Sequence, residues 1–307
     1  MQVQINEIKL IALFVEIDDL LKSLQAYQQS HQVGKTRRPT RVSELSESEV
    51  CTILVAYHLS GYKCFEYYYR QVIKKSHASY FPKAPSYERF LVLVSRCYAL
   101  MWLWSLHCCL KASRTGLYFI DSKRLEVCHL KRELSHRVFS AARKGKTSTG
   151  WFYGFKLHLV INDRGEIINW TLTPGNVADN NPALLKQLLQ GLTGVCIGDR
   201  GYWTSLFEWF YQQKLHLIVR PKRNMKKDAP CLVDHQHYLR KRALIESVND
   251  LLVSVCDLEH TRHRKPENAF AHIAAALVAY QFLDHKPAIF IPNQHANHSM
   301  TNHCMAA

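Results

Sequence analysis

Apolar residues recur at spacings of three and four from Ile5 to Tyr27, the period that gives a helix one buried face. Ser46-Glu47-Ser48-Glu49 has the form of a capping box, with Ser46 as N-cap and Glu49 three residues on. It predicts a helix running to about Leu59. GYKCFEYYYRQVIKK and SYERFLVLVSRCYALMWLW continue the helical pattern. From Gly116 the texture changes. LYFIDS is a short β-type run, GWFYGFKLHLVIND alternates over a longer stretch, RGE turns the chain and IINWTLTPG returns. The last two runs read as a long hairpin. NPALLKQLLQGL predicts a helix with Pro182 near its start, where a missing N–H costs nothing. GVCIGD is the next strand, WTSLFEWFYQQ a helix and LHLIVRPKR a strand. YLRKRALIESVNDLLVSVC and PENAFAHIAAALVAYQFL are the closing helices.

Three leading strands followed by strand–helix alternation predict an α/β chain: a mixed five-stranded sheet with helices on its faces. This is also the element order of the ribonuclease-H-like fold. The pattern divides the chain into an all-helical region, 1–115, an α/β domain, 116–286, and a polar His/Asn-rich tail, 287–307, expected to be disordered. In the first part, the basic connector GKTRRPTR between helices resembles the layout of helix-turn-helix-like DNA-binding modules.

Charge narrows the partners. Lys and Arg number 40 against 25 Asp and Glu, a formal net charge of +15, and such a chain is expected to meet a polyanion, nucleic acid first. A membrane partner is not expected. The longest apolar stretch, FLVLVSRCYALMWLWSLHCCL, is interrupted by Arg96 and reads as a buried helix. No secretory leader is visible. The ten cysteines include no C-x-x-C and read as reduced thiols of a cytoplasmic protein. No glycine-rich phosphate loop follows the first strand, which argues against a nucleotide-binding enzyme.

The chemistry lies in three acids. Asp121 and Asp199 each end a predicted strand, and in α/β sheets ligands gather at the carboxyl ends of strands. If the two strands are parallel neighbours, charges about 4 Å apart repel by roughly 4 kcal/mol at an effective dielectric near 20. A divalent cation relieves that, and magnesium favours a few carboxylates with water and phosphate oxygens. In the penultimate helix the apolar stripe is Leu244, Ile245, Val248, Leu251, Leu252 and Val255. Glu246 falls on the other face with Arg242, Asn249 and Asp250, pointing toward a site or toward water.

From about Gly116 to Leu283 the chain resembles the DDE transposases of bacterial insertion sequences. The resemblance rests on FIDS (119–122), GWFYGFKLHL (150–159), TPGN (173–176), GDRGY (198–202) and RALIES (242–247). It implies Asp121, Asp199 and Glu246 as catalytic and metal-holding residues. Two Mg2+ ions would be held, with Mn2+ able to substitute, Asp121 bridging and the other two acids each on one ion. It implies cleavage of DNA at the ends of a mobile element by water, then attack of the freed 3′-hydroxyl on target DNA. Double-stranded DNA would be the partner, and a homodimer or higher oligomer on DNA is expected. One departure stands out. Many relatives place Tyr, Arg and Lys around the Glu. Arg242 is in place, but the Tyr position is Leu239, with Tyr238 one place off, and the Lys position is Val253. Expected DNA contacts are Arg37, Arg38 and Arg41 in the first connector and Arg143, Lys144 and Lys146 in the basic, mobile loop KRELSHRVFSAARKGKTSTGW. Lys156 and His158 share one face of the second strand. Arg200, Lys222, Arg223 and Arg242 complete the set. The alternatives are a ribonuclease-H-like nuclease without joining activity and a DNA-binding regulator with an inactive catalytic domain.

Overall fold

The computed structural model describes residues 6–31, 44–147, 150–220, 239–259 and 263–289. The capping box forms as expected. Ser46 Oγ accepts the Glu49 N–H at 3.1 Å and Glu49 accepts the Ser46 N–H at 2.7 Å, which starts α2 (Glu47–Leu59) after α1 (Glu7–His31). α3 (Phe65–Tyr68) runs on as a π-helical stretch, Tyr69–Ser76. α4 (Tyr87–Lys111) is capped by Ser86, whose Oγ accepts from the Arg89 N–H at 3.3 Å. Among the described residues α4 is the one helix long and apolar enough to cross a membrane by length and composition. Here its Phe90, Val94, Met101 and Trp104 are wholly buried, and the helix packs along α8 (Pro266–Gln281) and against the sheet.

The sheet carries β1 (Leu117–Cys128), β2 (Arg143–Thr147), β3 (Gly150–Asn162), β4 (Ile167–Pro174), β5 (Gly194–Gly198) and β6 (Leu215–Val219). β3 pairs antiparallel with β1 and with β4, while β5 runs parallel to β1 and β6 parallel to β5. Without β2, the order β4-β3-β1-β5-β6 is the mixed sheet of a ribonuclease-H-like fold, as the element order predicts. β2 is a sixth strand that the sequence did not announce. The segment 131–151, expected as a mobile loop, instead holds a short 3-10 turn (Leu130–Ser135) and β2. β2 lies against the start of β3, with Gly145 packed on Gly175: a Cβ on Gly145 would fall 2.1 Å from the Gly175 carbonyl oxygen.

Successive strand residues face opposite ways, and each face has its own core. Phe119, Leu157, Leu159, Ile161 and Ile197 pack with residues of α1, α2, α4, α8 and α7 (Ala243–Ser254). Tyr118, Ile120, Val160 and Cys196 pack with α5 (Pro182–Leu188) and α6 (Phe207–Gln212). The first core is continuous from Leu10 to Tyr280, so residue 115/116 marks a change of element type within a shared interior. α7 is shorter than the predicted helix because Lys241 and Arg242 form a turn before it. The start of the tail is held: the Ile289 N–H donates to the Asp163 carbonyl at 2.8 Å. The rest of the tail lies outside the described residues.

The close approach of β1 to β3 is testable at Gly154. A Cβ there would stand 2.0 Å from the Leu125 carbonyl oxygen, so backbone must move. Gly154→Ala is expected to lower stability by about 1–3 kcal/mol, read as a fall in the thermal unfolding midpoint. An unchanged midpoint would mean that the strands are not this close.

Candidate active site

The parallel register of β1 and β5 pairs Phe119 with Ile197. Continued by two residues, it sets Asp121 level with Asp199, on the same face of the sheet. Asp199 follows the last residue of β5, and its carboxylate caps the 3-10 turn Arg200–Tyr202 by accepting the Arg200 N–H. α7 brings the third acid. Arg242 Nη1 lies 3.1 Å from Glu246 Oε1 and Nη2 lies 3.6 Å from Asp121 Oδ1. One guanidinium thus joins two of the three carboxylates. Asn249 Nδ2 donates to Asp121 Oδ2 at 3.2 Å. Arg242, Glu246 and Asn249 occur at helical spacing, so the polar face of α7 is turned toward β1. Asp121 is largely buried, while the Glu246 side chain keeps 57% of its exposure and Asp199 is exposed.

Burial pushes the Asp121 carboxyl up to about 6, against the Arg242 charge and the Ser122 N–H, which favour ionisation. Asp199 and Asp179 nearby push it the same way as burial. Desolvation therefore outweighs the single cation. Two buried polar atoms at this spot have no hydrogen-bond partner, Asn249 Oδ1 and Arg242 Nε. Three carboxylates and an unpartnered amide oxygen form a hard oxygen donor set, the type that Mg2+ and Mn2+ take. Among the described residues no three His, Cys, Asp or Glu side chains are already gathered at metal-holding distance. Arg242 supplies positive charge between Asp121 and Glu246 instead. By donor chemistry the set suits a divalent cation.

The other face of the sheet corrects an expectation. Lys156 is 5% exposed and His158 not at all. Lys156 Nζ donates to Asp179 Oδ1 at 3.0 Å and to the Val177 carbonyl at 3.1 Å. His158 Nε2 meets Thr173 Oγ1 at 2.9 Å, and burial pushes its imidazole down to about 4. Side chains so enclosed offer no surface to DNA; Thr173 of β4 and the turn after it, with Val177 and Asp179, close over them. Asp179 itself was not singled out from the sequence, although it sits just beyond the TPGN block. Arg143, Lys144, Lys146 and Arg200 are exposed. Lys144 and Lys146 stand 5.3 and 5.5 Å from the centre of the half-exposed Trp151 ring, at the sheet edge. Leu239, at the Tyr position of many relatives, is a buried core residue. Arg37, Arg38, Arg41, Lys222, Arg223 and Tyr238 lie outside the described residues.

The sequence model of the family described as "Transposase DDE domain" matches residues 111–266, which contain all three acids. No curated protein matches. Two solved structures show a distant likeness. The Mos1 strand transfer complex is 12% identical, with 86% of this chain and 87% of that chain covered and a TM-score of 0.22. The Mos1 transposase paired-end complex with left transposon end is 12% identical, with 86% and 88% covered and a TM-score of 0.19. Likeness at such scores decides neither fold nor function.

The buried carboxyl gives a signed prediction. Its folded value, about 6, lies above the ordinary 3.8. Between those values the folded chain holds a proton that the unfolded chain has lost. Without metal, stability therefore falls as pH rises through this window and stays lower above it. The gap corresponds to about 3 kcal/mol. Asp121→Asn should raise the metal-free unfolding midpoint at pH 7.5 and bring no such gain near pH 3.5. An equal or lower midpoint at pH 7.5 would contradict the assigned burial.

Proposed function

The chain belongs to the DDE transposases, enzymes that cut and join DNA and that generally depend on a divalent metal, and from that membership we propose a reading of its site. Asp121, Asp199 and Glu246 hold the catalytic metal, two Mg2+ ions with Mn2+ able to substitute. The observation that carries this reading is the placement of the three acids. Asp121 and Asp199 sit at matching points of neighbouring parallel strands, and Glu246 is tied to Asp121 through one guanidinium.

When bound there, divalent cations lower the pKa of an attacking water or hydroxyl and offset charge on the phosphate. The protein's own groups do the rest. Asn249 orients Asp121 through its amide. Arg242, released from the two carboxylates, is long enough to meet a phosphate oxygen and keeps its charge at any working pH. Arg143, Lys144 and Lys146 on the β2 edge, with Arg200 beside Asp199, neutralise backbone phosphates along the duplex. Such contacts give affinity and salt dependence rather than sequence choice. The net charge of +15 fits a polyanionic substrate.

The substrate in this reading is double-stranded DNA at the ends of an insertion sequence. Water cuts first and leaves a 3′-hydroxyl, which then attacks target DNA in line. Recognition of the terminal repeats falls to the N-terminal helical region, with Arg37, Arg38 and Arg41 in its connector and Lys222 and Arg223 as further backbone contacts. Bringing two ends together calls for at least a dimer on DNA, working in the cytoplasm at the bacterial nucleoid.

Asp199→Asn is expected to remove cleavage of labelled end DNA in Mg2+ while gel-shift binding survives. Continued nicking by this variant would sink the assignment. Wild-type protein given a pre-cut end should join it to plasmid DNA; cutting without joining would place the chain with simple nucleases.

A further inference from the structure

Asp179, on the face of the sheet opposite α7, bonds to the segment that carries Asp121 and lies beside the one that carries Asp199. It lies in the turn between β4 and α5. Its Oδ1 accepts from Ser122 Oγ at 3.0 Å and from Lys156 Nζ at 3.0 Å. Ser122 directly follows Asp121 in β1. Its Oδ2 faces Gly201, where a Cβ would stand 3.4 Å away, and Gly201 is the second residue after Asp199. Lys156 comes from β3 and is almost wholly enclosed, so its ammonium is committed to Asp179 and the Val177 carbonyl. His158 Nδ1, buried and without a hydrogen-bond partner, lies 4.0 Å from the same Oδ1. A charge-assisted pair in the interior thus links β1, β3 and the turn after β4, and the next residue, Asn180, ties that turn to the one after β5 by donating Nδ2 to the Trp203 carbonyl at 2.9 Å.

We propose that Asp179, held by Lys156, is a positioning residue that fixes the spacing of Asp121 and Asp199 and so sets their affinity for a divalent cation, without touching the cation itself. This rests on the reading of Asp121 and Asp199 as metal-holding residues. Ser122 alternates with Asp121 along β1, so the atoms that Asp179 engages point away from the face where the catalytic acids lie. The carboxylate therefore works through the backbone on either side. Partners of this outer kind typically change metal affinity by about 10–100-fold when removed.

The test is Mn2+ titration of the metal-free full-length chain without DNA, by calorimetry, so that the readout is binding rather than turnover. Asp179→Asn should bind about 10–100-fold more weakly than wild type with the same stoichiometry. Ser122→Ala, which keeps the Lys156 pair, should weaken binding less but in the same direction. Asp199→Asn should lose binding outright. If Asp179→Asn binds as wild type does while Asp199→Asn fails, the positioning role is overturned and the metal reading stands. If Asp179→Asn loses binding as fully as Asp199→Asn, Asp179 is a ligand and the proposal is again overturned. If Asp199→Asn binds normally, the metal reading falls and the proposal with it. Should Asp179→Asn fail to fold, unchanged affinity in Ser122→Ala decides against the role.

Discussion

Two aspartates held level on neighbouring parallel strands, Asp121 within β1 and Asp199 just past the end of β5, are the constraint on which this structure turns. Asp199 adds to the cost of ionising Asp121. Register holds Asp121 and Asp199 at matching levels, because the strands beneath them, Leu117–Phe119 against Val195–Ile197, are locked by pairing and by burial on both faces. Burial of Asp121 adds to the cost and drives its carboxyl toward the protonated form. The sheet thus holds Asp121 where its ionised form is disfavoured, a cost that a proton or a nearby cation offsets. Arg242 relieves part of it from α7 and links Glu246 to the same point.

The rest of the architecture follows from keeping those strands rigid. α4 and α8 pack together beneath the sheet, and the helices before β1 share their core. The N-terminal region is therefore a mechanical part of the same body as the sheet. The opposite face is closed by α5 and α6. The net charge of +15 favours a polyanion over distance, whereas the acids of the site need charge compensated atom by atom.

Much of this was legible in the sequence. The capping box at Ser46 and Glu49 obeys local rules and needed no tertiary context. Asp199 was readable because a short apolar run closing on a carboxylate is unusual. Asp121 was read the same way, although β1 does not end there but runs on to Cys128. The polar face of α7 followed from period alone. Other features were not legible for physical reasons. Alternation shows that Lys156 and His158 share a face, but not that the turn after β4 closes over them. β2 depends on Gly145, Gly154 and Gly175, whose missing side chains let backbones approach, and a glycine in a basic stretch reads as a loop. Asp179 gains its place only when β1, β3 and the turn after β5 come together, a juxtaposition no sequence window contains. Leu239 shows the reverse case: a departure from the family pattern that the fold has put to use in its core.

The central claim is that Asp121, Asp199 and Glu246 converge on divalent cations when Arg242 gives way. Anomalous diffraction from crystals of the full chain grown with Mn2+ tests it most directly. The account predicts anomalous peaks at coordination distance from the carboxylates of Asp121 and Asp199, with Glu246 drawn in and the Arg242 guanidinium displaced. Anomalous density confined to other residues, with Arg242 still bridging Asp121 and Glu246, would contradict it.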